Sequence, residues 1–501
     1  MDLIQNSYIK WALSGLLLGI GFVVPSLWIL GLAGGVYFIH TLIHESSVKR
    51  QLLGATLAWT IKAACANSFF WSVYPVQWLP IEWGSAQLVL VLLYWVTTSL
   101  WLGLGALVVV AGYGVCKKYA SSLCKHLPLL LVPVFWVAGE MFGSFMFSVM
   151  MIGPGGTINV AYSFGYSGYL LAEHELLLQL ARLGGVYVLS ALFAIVAVGI
   201  IFVLQSKKTV TTTITSFVIG LVFATGWYQY AAFPIVTSEQ GHTVAVIDTY
   251  PGRELSQEQS DFTNSIAITQ AVEAALTLGG DYILLPEDAQ FFNQAQPIGS
   301  LRSSINLKYD NPQQVIVDSG PTFVGEKTVL QALIFNGQGD HIERIHKRYL
   351  VPQGEFMPTL YSRTLQLVGL SSIAGVLSEK IAFTVGPLIS QAAMSEDIPG
   401  ILFCFESVDP TGVRRLMRER PHMPFVAHPV SHTWFHDSAV LWHQLDTMLQ
   451  VQAVWNQKYI ISASNHAYSH AFAPNGAIQK LEATTSGEGW VVKEVIIPRK
   501  N

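Results

Sequence analysis

The chain has 501 residues, of which 51% are hydrophobic and only 12% are charged. Soluble globular proteins carry about 25% charged residues, so this composition excludes a wholly soluble chain and indicates that a large part of it faces lipid. The net charge of −4 gives no basis for a nucleic-acid partner. Four cysteines, of which Cys404 alone lies in the second half, do not predict a disulfide framework.

Apolar and charged residues are unevenly distributed along the chain. Residues 1–235 are apolar with sparse charges, and residues 240–501 have the composition of a soluble domain. A bilayer core requires roughly 20 apolar residues per helix, and we predict a transmembrane helical bundle over 1–235. Its seven predicted spans lie at about 9–26, 27–44, 52–72, 87–115, 127–150, 184–205 and 213–233.

Basic residues in short loops set the orientation of a membrane protein, because such loops stay in the cytoplasm. The loops after the second, fourth and sixth predicted spans are the basic ones, with Lys49, Arg50, Lys117, Lys118, Lys125, Lys207 and Lys208. The loop 151–183 on the opposite side has only Arg182. We therefore expect residues 240–501 to lie outside the cytoplasmic membrane.

Two parts of the predicted bundle are polar. Lys62 and Glu140 fall within spans, where a charge costs about 2.5–3.5 kcal/mol, so both are expected to face the bundle interior and pair, or to lie near an interface. The loop 151–183 carries four aromatic residues, Tyr162, Phe164, Tyr166 and Tyr169. We interpret them either as an aromatic belt at the membrane surface or as a platform that guides a lipid to the outer domain.

The second half alternates between strand and helix patterns. Apolar runs predict strands at 243–250, 281–292, within 322–355, and at 373–386, 400–407, 458–465 and 471–480, the last with an Asn-Gly turn. Helical periodicity covers 261–280, which ends in Gly-Gly, and 442–457. Strands that alternate with helices predict an α/β layered domain.

Three chemically reactive residues are each expected at the end of a strand, where sites form in α/β sheets: Glu287, Lys347 and Cys404. A free thiol has a pKa of about 8.5 and needs a base or a cation nearby to act as a nucleophile. Glu287 can take the thiol proton and later return it. Lys347, with the backbone N–H of Phe405, can hold the oxyanion that forms on an attacked carbonyl. These residues predict an acyl-transfer site that works without histidine.

Three sequence blocks carry a family resemblance. LLPEDAQFF, HKRYLVPQGEFMP and LFCFES resemble the catalytic blocks of the nitrilase, or carbon–nitrogen hydrolase, superfamily. With the preceding spans, the chain resembles the apolipoprotein N-acyltransferase family of bacteria. The resemblance implies an αββα sandwich over 240–501, a Glu287–Lys347–Cys404 triad, and a place in the cytoplasmic (inner) membrane with the catalytic domain on the periplasmic side. It implies neither a cofactor nor a metal.

The resemblance also implies a reaction and its partners. Cys404 would take an acyl chain from a membrane phospholipid, and the thioester would then be attacked by the amino group of diacylglyceryl-cysteine at the start of an apolipoprotein. Glu355 would support the lysine and the substrate, and Glu406 would brace the nucleophile. Trp434 lies in a block that resembles a later active-site loop of the family. Phe405 departs from the family, which usually has tyrosine there.

Histidine is abundant between residues 422 and 470. His428, His432 and His436 recur every four residues beside Asp437, which makes a zinc site a minority hypothesis. We favour polar loop residues that rim the pocket, because Pro429 and the Trp-Phe pair indicate a loop.

Two other functions stay open at this point. Water rather than an amine could resolve the thioester, which would make the protein a membrane-tethered amidase. A non-catalytic nitrilase-like scaffold is the third hypothesis, and the retention of Glu287, Lys347, Glu355 and Cys404 together argues against it.

Overall fold

In the computed structural model of the chain, the described residues are 7–76, 84–119, 127–205, 220, 224–229, 231, 241–249, 257–294, 313–367, 369, 371–380, 382–387, 395–436, 438–465 and 468–498. The helices of the first region are α1 (Ser7–Val23), α2 (Trp28–His44), α3 (Val48–Ala66), α4 (Gly84–Gly103), α5 (Ala106–Tyr119), α6 (Leu127–Leu130), α7 (Val132–Met150), α8 (Gly168–Ala172), α9 (Glu175–Leu178) and α10 (Gly185–Gln205).

Four helical segments among the described residues are long and apolar enough to cross a membrane: Pro25–His44, Gly84–Tyr119, Val132–Met150 and Gly185–Gln205. α1 is apolar but has only 17 residues. The span predicted at 87–115 is two helices, α4 and α5, with a turn between them. The span predicted at 213–233 lies mostly outside the described residues. A helical membrane region is therefore present, and the count of seven spans is not confirmed.

Small residues let the helices of the bundle approach closely. A Cβ added to Gly15 of α1 would lie 2.3 Å from the carbonyl oxygen of Ala58 in α3, and one added to Gly34 of α2 would lie 2.4 Å from the backbone nitrogen of Leu18. Only glycine allows backbones to come this near, which is how helices pack in lipid without a hydrophobic driving force.

The second region is built from twelve strands and six helices among the described residues. The strands are β1 (Gly241–Thr249), β2 (Tyr282–Leu284), β3 (Val315–Val324), β4 (Lys327–Asn336), β5 (His341–His346), β6 (Gly400–Ile401), β7 (Val426–Ser431), β8 (Ile460–Asn465), β9 (His470–Phe472), β10 (Ile478–Lys480), β11 (Ala483–Gly487) and β12 (Trp490–Pro498). The helices are α11 (Gln257–Leu278), α12 (Phe291–Gln294), α13 (Thr359–Leu367), α14 (Ser371–Lys380), α15 (Gly412–Glu419) and α16 (Ala439–Asn456).

The strands form two layers that meet along one seam. One layer runs β11-β12-β1-β2-β3-β4-β5 and the other β6-β7-β8-β9-β10, and the twelve strands belong to one continuous sheet. Among the described residues, the seam consists of one parallel pair, Thr249 of β1 with Asn465 of β8. Both layers place their parallel strands side by side, so the carboxyl ends of β2, β6 and β7 can meet near one edge.

Alternation along the strands identifies the cores. Val246 of β1 and Ala463 of β8 share the core between the two layers. Ile247, the next residue of β1, packs instead under α11. Ile460 of β8 packs with Val413 of α15 and with α16 on the opposite outer face. Because neighbouring residues of a strand face opposite sides, each layer has a helix-covered outer face, and the domain is an αββα sandwich.

Two local predictions are wrong. The segment 373–386 was expected as a strand, but α14 covers most of it, since its apolar residues Ala374 and Leu377 fall three apart and pack with Leu365. His428 lies in strand β7 and not in a loop. Pro429 is compatible with that strand because, within the described part of the chain, β7 beyond Ala427 pairs only with β8, so its other side is an edge there.

Candidate active site

Lys347 is the centre of the candidate site. Its ammonium Nζ lies 2.8 Å from Glu287 Oε1 and 2.6 Å from Glu355 Oε1. The Lys347 side chain is fully buried, and both carboxylates are nearly so. The backbone N–H of Val351 donates to Glu355 Oε2 at 2.7 Å. Two carboxyl groups thus share one buried ammonium, which is one acid more than a structural ion pair requires.

The sheet brings these residues together from distant parts of the chain. Glu287 lies three residues after the end of β2, and Lys347 directly follows β5. Glu355 lies in the turn after Lys347, where Gln353 has a left-handed backbone with φ 64°. The predicted placement of Glu287 and Lys347 beyond strand ends is confirmed by these bounds.

Cys404 lies beyond its strand in a different way from the one predicted. β6 ends at Ile401, although the backbone N–H of Leu402 still donates to the carbonyl of Ala427 at 3.0 Å. Cys404 then begins a short 3-10 helix, Cys404–Val408. Its thiol contacts the carbonyl oxygen of Ser431 at 3.7 Å, at the end of the neighbouring strand β7. The thiol therefore sits at the carboxyl edge of two parallel strands.

Burial and the neighbouring Glu287 carboxylate favour the protonated form of the Cys404 thiol. Burial, and then the Glu287 carboxylate, raise the pKa of the Cys404 thiol, while the Lys347 ammonium opposes that rise. Burial lowers the pKa of Lys347, but Glu287 and Glu355 outweigh it and hold the pKa above its ordinary value. Burial raises the pKa of Glu355, and Lys347 opposes it. Attack by sulfur therefore needs a base that removes the thiol proton, and Glu287 is the carboxylate whose charge acts most on that thiol.

Glu406 connects the nucleophile turn, residues 403–408, to the backbone directly after Lys347. Its Oε1 accepts from the backbone N–H of Arg348 at 2.5 Å, and its Oε2 accepts from the backbone N–H of Phe403 at 3.2 Å. The carboxylate thus bonds the residue before Cys404 and the residue after Lys347. Burial raises the pKa of Glu406, and these backbone donors oppose the rise.

Trp434 and Phe405 flank the same region. A Cβ on Gly354 would lie 2.3 Å from the Trp434 ring, so this ring covers the turn that carries Glu355. The Phe405 ring lies 6.3 Å from the ring of Tyr162, which belongs to the loop 151–183.

That loop is buried rather than spread on a membrane surface. Tyr162, Phe164, Tyr166 and Tyr169 are each at most 5% exposed. They pack inside the protein, between the bundle helices and the sandwich, so the aromatic-belt interpretation is wrong. Ser163 of this loop donates to the carbonyl oxygen of Val408, at the end of the Cys404 helix, at 2.6 Å.

Further hydrogen bonds attach the active-site edge of the sandwich to the bundle. The Thr359 N–H donates to the Ile152 carbonyl at 2.8 Å. His436 Nδ1 contacts the Ser72 carbonyl at 2.5 Å, and Gln444 Nε2 donates to the Ala66 carbonyl at 2.8 Å. The site therefore faces the bundle.

Lys62 and Glu140 form the predicted pair in the bundle interior, with Nζ and Oε1 3.1 Å apart. The same Glu140 oxygen accepts from the backbone N–H and the hydroxyl of Ser167, at 2.7 and 2.8 Å. Trp136 donates its indole N–H to that hydroxyl at 3.1 Å. The pair thus anchors the middle of the loop 151–183 through Ser167.

The histidines of the zinc hypothesis have separate partners. The ring nitrogens of His428 contact the Ser462 hydroxyl and the Cys404 carbonyl. The backbone N–H of His432 donates to Asn465 Oδ1, and the His436 ring contacts the Ser72 carbonyl. Among the described residues, no three histidine, cysteine, aspartate or glutamate side chains are grouped to hold a metal, and Asp437 lies outside them.

Sequence reasoning did not predict that four residues contact residues 403–408: Ser163, Ser407, His428 and Ser431. Serine and histidine are common in loops, and only their tertiary contacts distinguish these four. The spacing of His428 with the other histidines drew attention to metal chemistry and away from the cysteine nearby.

Two proteins named apolipoprotein N-acyltransferase are similar to this chain in sequence, and no family model matches it. An apolipoprotein N-acyltransferase of Geobacter metallireducens is 26% identical over 343 residues, which span 65% of this chain and 63% of that protein. An apolipoprotein N-acyltransferase of Synechocystis sp. is 24% identical over 459 residues, 84% of this chain and 80% of that protein.

Solved structures align with about half of the chain. An amidase from Nesterenkonia sp. matches with a TM-score of 0.33 and 18% identity, over 53% of this chain and 94% of the amidase. Saccharomyces cerevisiae Nit3, a member of branch 10 of the nitrilase superfamily, matches with a TM-score of 0.34 and 17% identity, over 51% of this chain and 90% of Nit3. The resemblance read from the motifs is confirmed: this chain is similar to the apolipoprotein N-acyltransferases.

Proposed function

We propose that the protein is a membrane N-acyltransferase that moves an acyl chain from a phospholipid to the N-terminal amine of a diacylated apolipoprotein. Glu287, Lys347 and Cys404 act on the reacting atoms. The domain 240–501 works on the periplasmic side of a bacterial inner membrane. The observation that carries the proposal is the bond from Ser163 to Val408, because it joins the nucleophile helix directly to a buried loop of the membrane bundle.

In the first step the Cys404 thiol gives its proton to Glu287, and the sulfur attacks the ester carbonyl of the lipid. The oxyanion is held by the Lys347 ammonium and the backbone N–H of Phe405. The C–O bond then breaks, the leaving oxygen takes the proton from Glu287, and a lysophospholipid departs. The acyl chain stays on sulfur as a thioester.

In the second step the amine of the acceptor attacks the thioester carbonyl. Glu287 accepts the amine proton, the C–N bond forms, and the sulfur leaves and regains a proton. Glu355 supports this chemistry through its own bond to Lys347, and Glu406 fixes the backbone next to Cys404. Trp434, over the Gly354 turn, shapes the substrate side of the pocket.

The first test is the intact mass of the detergent-purified chain after incubation with phosphatidylethanolamine. We expect the native protein to gain the mass of one acyl chain, and Cys404→Ala to gain none. Cys116→Ala, which removes a half-buried thiol of α5, is the matched control and should gain the acyl chain as the native protein does.

The second test adds a diacylated lipopeptide to the acylated protein. Loss of the adduct only when the lipopeptide amine is free would support amine transfer. Loss at the same rate with an N-acetylated lipopeptide would mean that water resolves the thioester, and the protein would then be a hydrolase. A native protein that binds lipid and gains no acyl mass would contradict the proposal and favour a scaffold.

A further inference from the structure

One buried histidine contacts the backbone of the nucleophile. His428 is 2% exposed, and its Nε2 lies 3.5 Å from the carbonyl oxygen of Cys404. Its Nδ1 lies 2.9 Å from the hydroxyl of Ser462 on β8. The same Cys404 carbonyl accepts from the hydroxyl of Ser407 at 2.6 Å.

These partners assign the proton positions. A carbonyl oxygen only accepts, so Nε2 carries the hydrogen and donates to Cys404. Nδ1 is then the acceptor, and the Ser462 hydroxyl donates to it. Burial lowers the pKa of His428 to about 4, so the ring is neutral at physiological pH and this arrangement persists.

The geometry argues against a role for His428 as the base of a cysteine–histidine pair. The Cys404 thiol contacts the Ser431 carbonyl. The two ring nitrogens of His428 contact the Cys404 carbonyl and the Ser462 hydroxyl. Both ring nitrogens are therefore occupied by groups other than sulfur.

A peptide bond is planar and trans, so the carbonyl of one residue and the N–H of the next point in opposite directions. Fixing the Cys404 carbonyl therefore fixes the direction of the Phe405 N–H. That N–H is the backbone donor which the proposed mechanism assigns to the oxyanion. A rotated peptide would turn the donor away from the reacting carbonyl and leave the thiol unchanged.

We propose that His428, oriented by Ser462 and assisted by Ser407, is a positioning residue that holds the Cys404–Phe405 peptide with its N–H directed at the oxyanion. This inference rests on the proposed function, because it refines how that same site stabilises the attacked carbonyl. It adds to the triad a group that touches neither the substrate nor the thiol.

The test compares two reactions of Cys404 that differ in their need for an oxyanion donor. Acylation by a short-chain p-nitrophenyl ester passes through a tetrahedral oxyanion and releases nitrophenolate. Alkylation by iodoacetamide displaces iodide directly and forms no oxyanion. Both rates are measured on the full chain in detergent for the native protein, His428→Leu, His428→Gln and the exposed-loop control His422→Gln.

We expect His428→Leu to lower the acylation rate about 10–100-fold, less than the loss of about 10²–10³ that follows removal of an oxyanion donor itself. Alkylation should stay close to the native rate, since the sulfur and its base are untouched. His428→Gln places an amide N–H near the position of Nε2 and should restore most of the acylation rate. His422→Gln should match the native protein in both reactions.

Three results would overturn the inference: a parallel fall in both rates, equal acylation by His428→Leu and the native protein, or no recovery in His428→Gln. Ser462→Ala gives a second variant if His428→Leu fails to fold, and it should lower acylation selectively. A native protein that reacts with the ester and not with phosphatidylethanolamine would contradict the lipid donor while the comparison of variants still decides the role of His428. A native protein that is alkylated and never acylated would overturn both proposals.

Discussion

The bundle and the sandwich each bury a lysine that is paired with carboxyl groups, and the number of carboxyl groups differs between them. Lys62 has one carboxylate, Glu140, and lies 4.3 Å from the centre of the Trp59 ring. Lys347 has two carboxylates, Glu287 and Glu355. The first arrangement has one cation and one carboxylate, both hydrogen-bonded to Ser167, and two indole rings lie against the ammonium. The second has one carboxyl group more than it has cations, close to a thiol. A balanced pair suits a structural role, and an additional carboxyl group suits a proton acceptor.

The largest expected effect is on the unbalanced site. Glu287→Gln keeps the shape of the side chain and removes the proton acceptor, so thioester formation with phosphatidylethanolamine should fall at least about 10³-fold. Stopped reactions followed by intact mass measure the rate. Glu273→Gln, on the exposed face of α11, should leave it unchanged. A loss below tenfold in Glu287→Gln would remove Glu287 from the mechanism.

The balanced pair should respond in stability instead. Lys62→Met leaves the buried Glu140 charge uncompensated and should cost about 3–5 kcal/mol of unfolding free energy, measured by denaturant titration in detergent. Lys62→Met with Glu140→Gln removes both charges, keeps an acceptor for Ser167, and should recover most of that stability. Acylation per folded molecule should stay near native in the double variant. A selective loss of acylation there would mean that this pair also has a chemical role.

A smaller effect tests the contact between Trp434 and the Glu355 turn. Gly354→Ala would bring a methyl group within 2.3 Å of the Trp434 ring and should destabilise the protein by about 1–3 kcal/mol through overpacking. Gly354→Ala with Trp434→Ala relieves the contact. A double-mutant cycle in thermal unfolding should therefore show coupling between the two positions, and strict additivity would contradict the packing.

The smallest effect concerns an ion pair that joins the two regions. His443 Nε2 of α16 lies 2.7 Å from Glu173 Oε1 of the loop 151–183. Burial lowers the pKa of His443, but Glu173 outweighs it and holds the pKa above its ordinary value of 6.5. The stabilisation is therefore complete below pH 6.5 and is lost as pH rises through the folded pKa. Because the His443 side chain is 39% exposed, we expect less than about 1 kcal/mol.

That pH effect is measured by comparing the unfolding free energies of the native protein and His443→Gln between pH 5.5 and pH 8.5. The native protein should lose a small advantage over the variant as pH rises. An advantage that grows with pH would contradict the ion pair.

Patterns that repeat along the chain predicted most of the fold. The strands at 243–250 and 458–465 and the helix at 442–457 were predicted close to their bounds, because the strands are buried on both faces and read as apolar runs, while the helix keeps a helical period. The segment 373–386 was mistaken for a strand, since a short apolar run has no clear period of its own. The loop 151–183 was placed at a surface because its aromatic residues lack a visible partner in the sequence.

The sequence by itself determined which residue types are available for chemistry: one cysteine within residues 240–501, and a glutamate and a lysine at predicted strand ends. Those features are local, so composition and spacing reveal them. Only the tertiary structure decided that Lys347 lies between Glu287 and Glu355, that Ser163 reaches the nucleophile helix, and that His428 contacts the Cys404 backbone. These contacts join residues 8 to 245 positions apart, and no local pattern encodes them because the sheet order and the packing of the sandwich on the bundle create them.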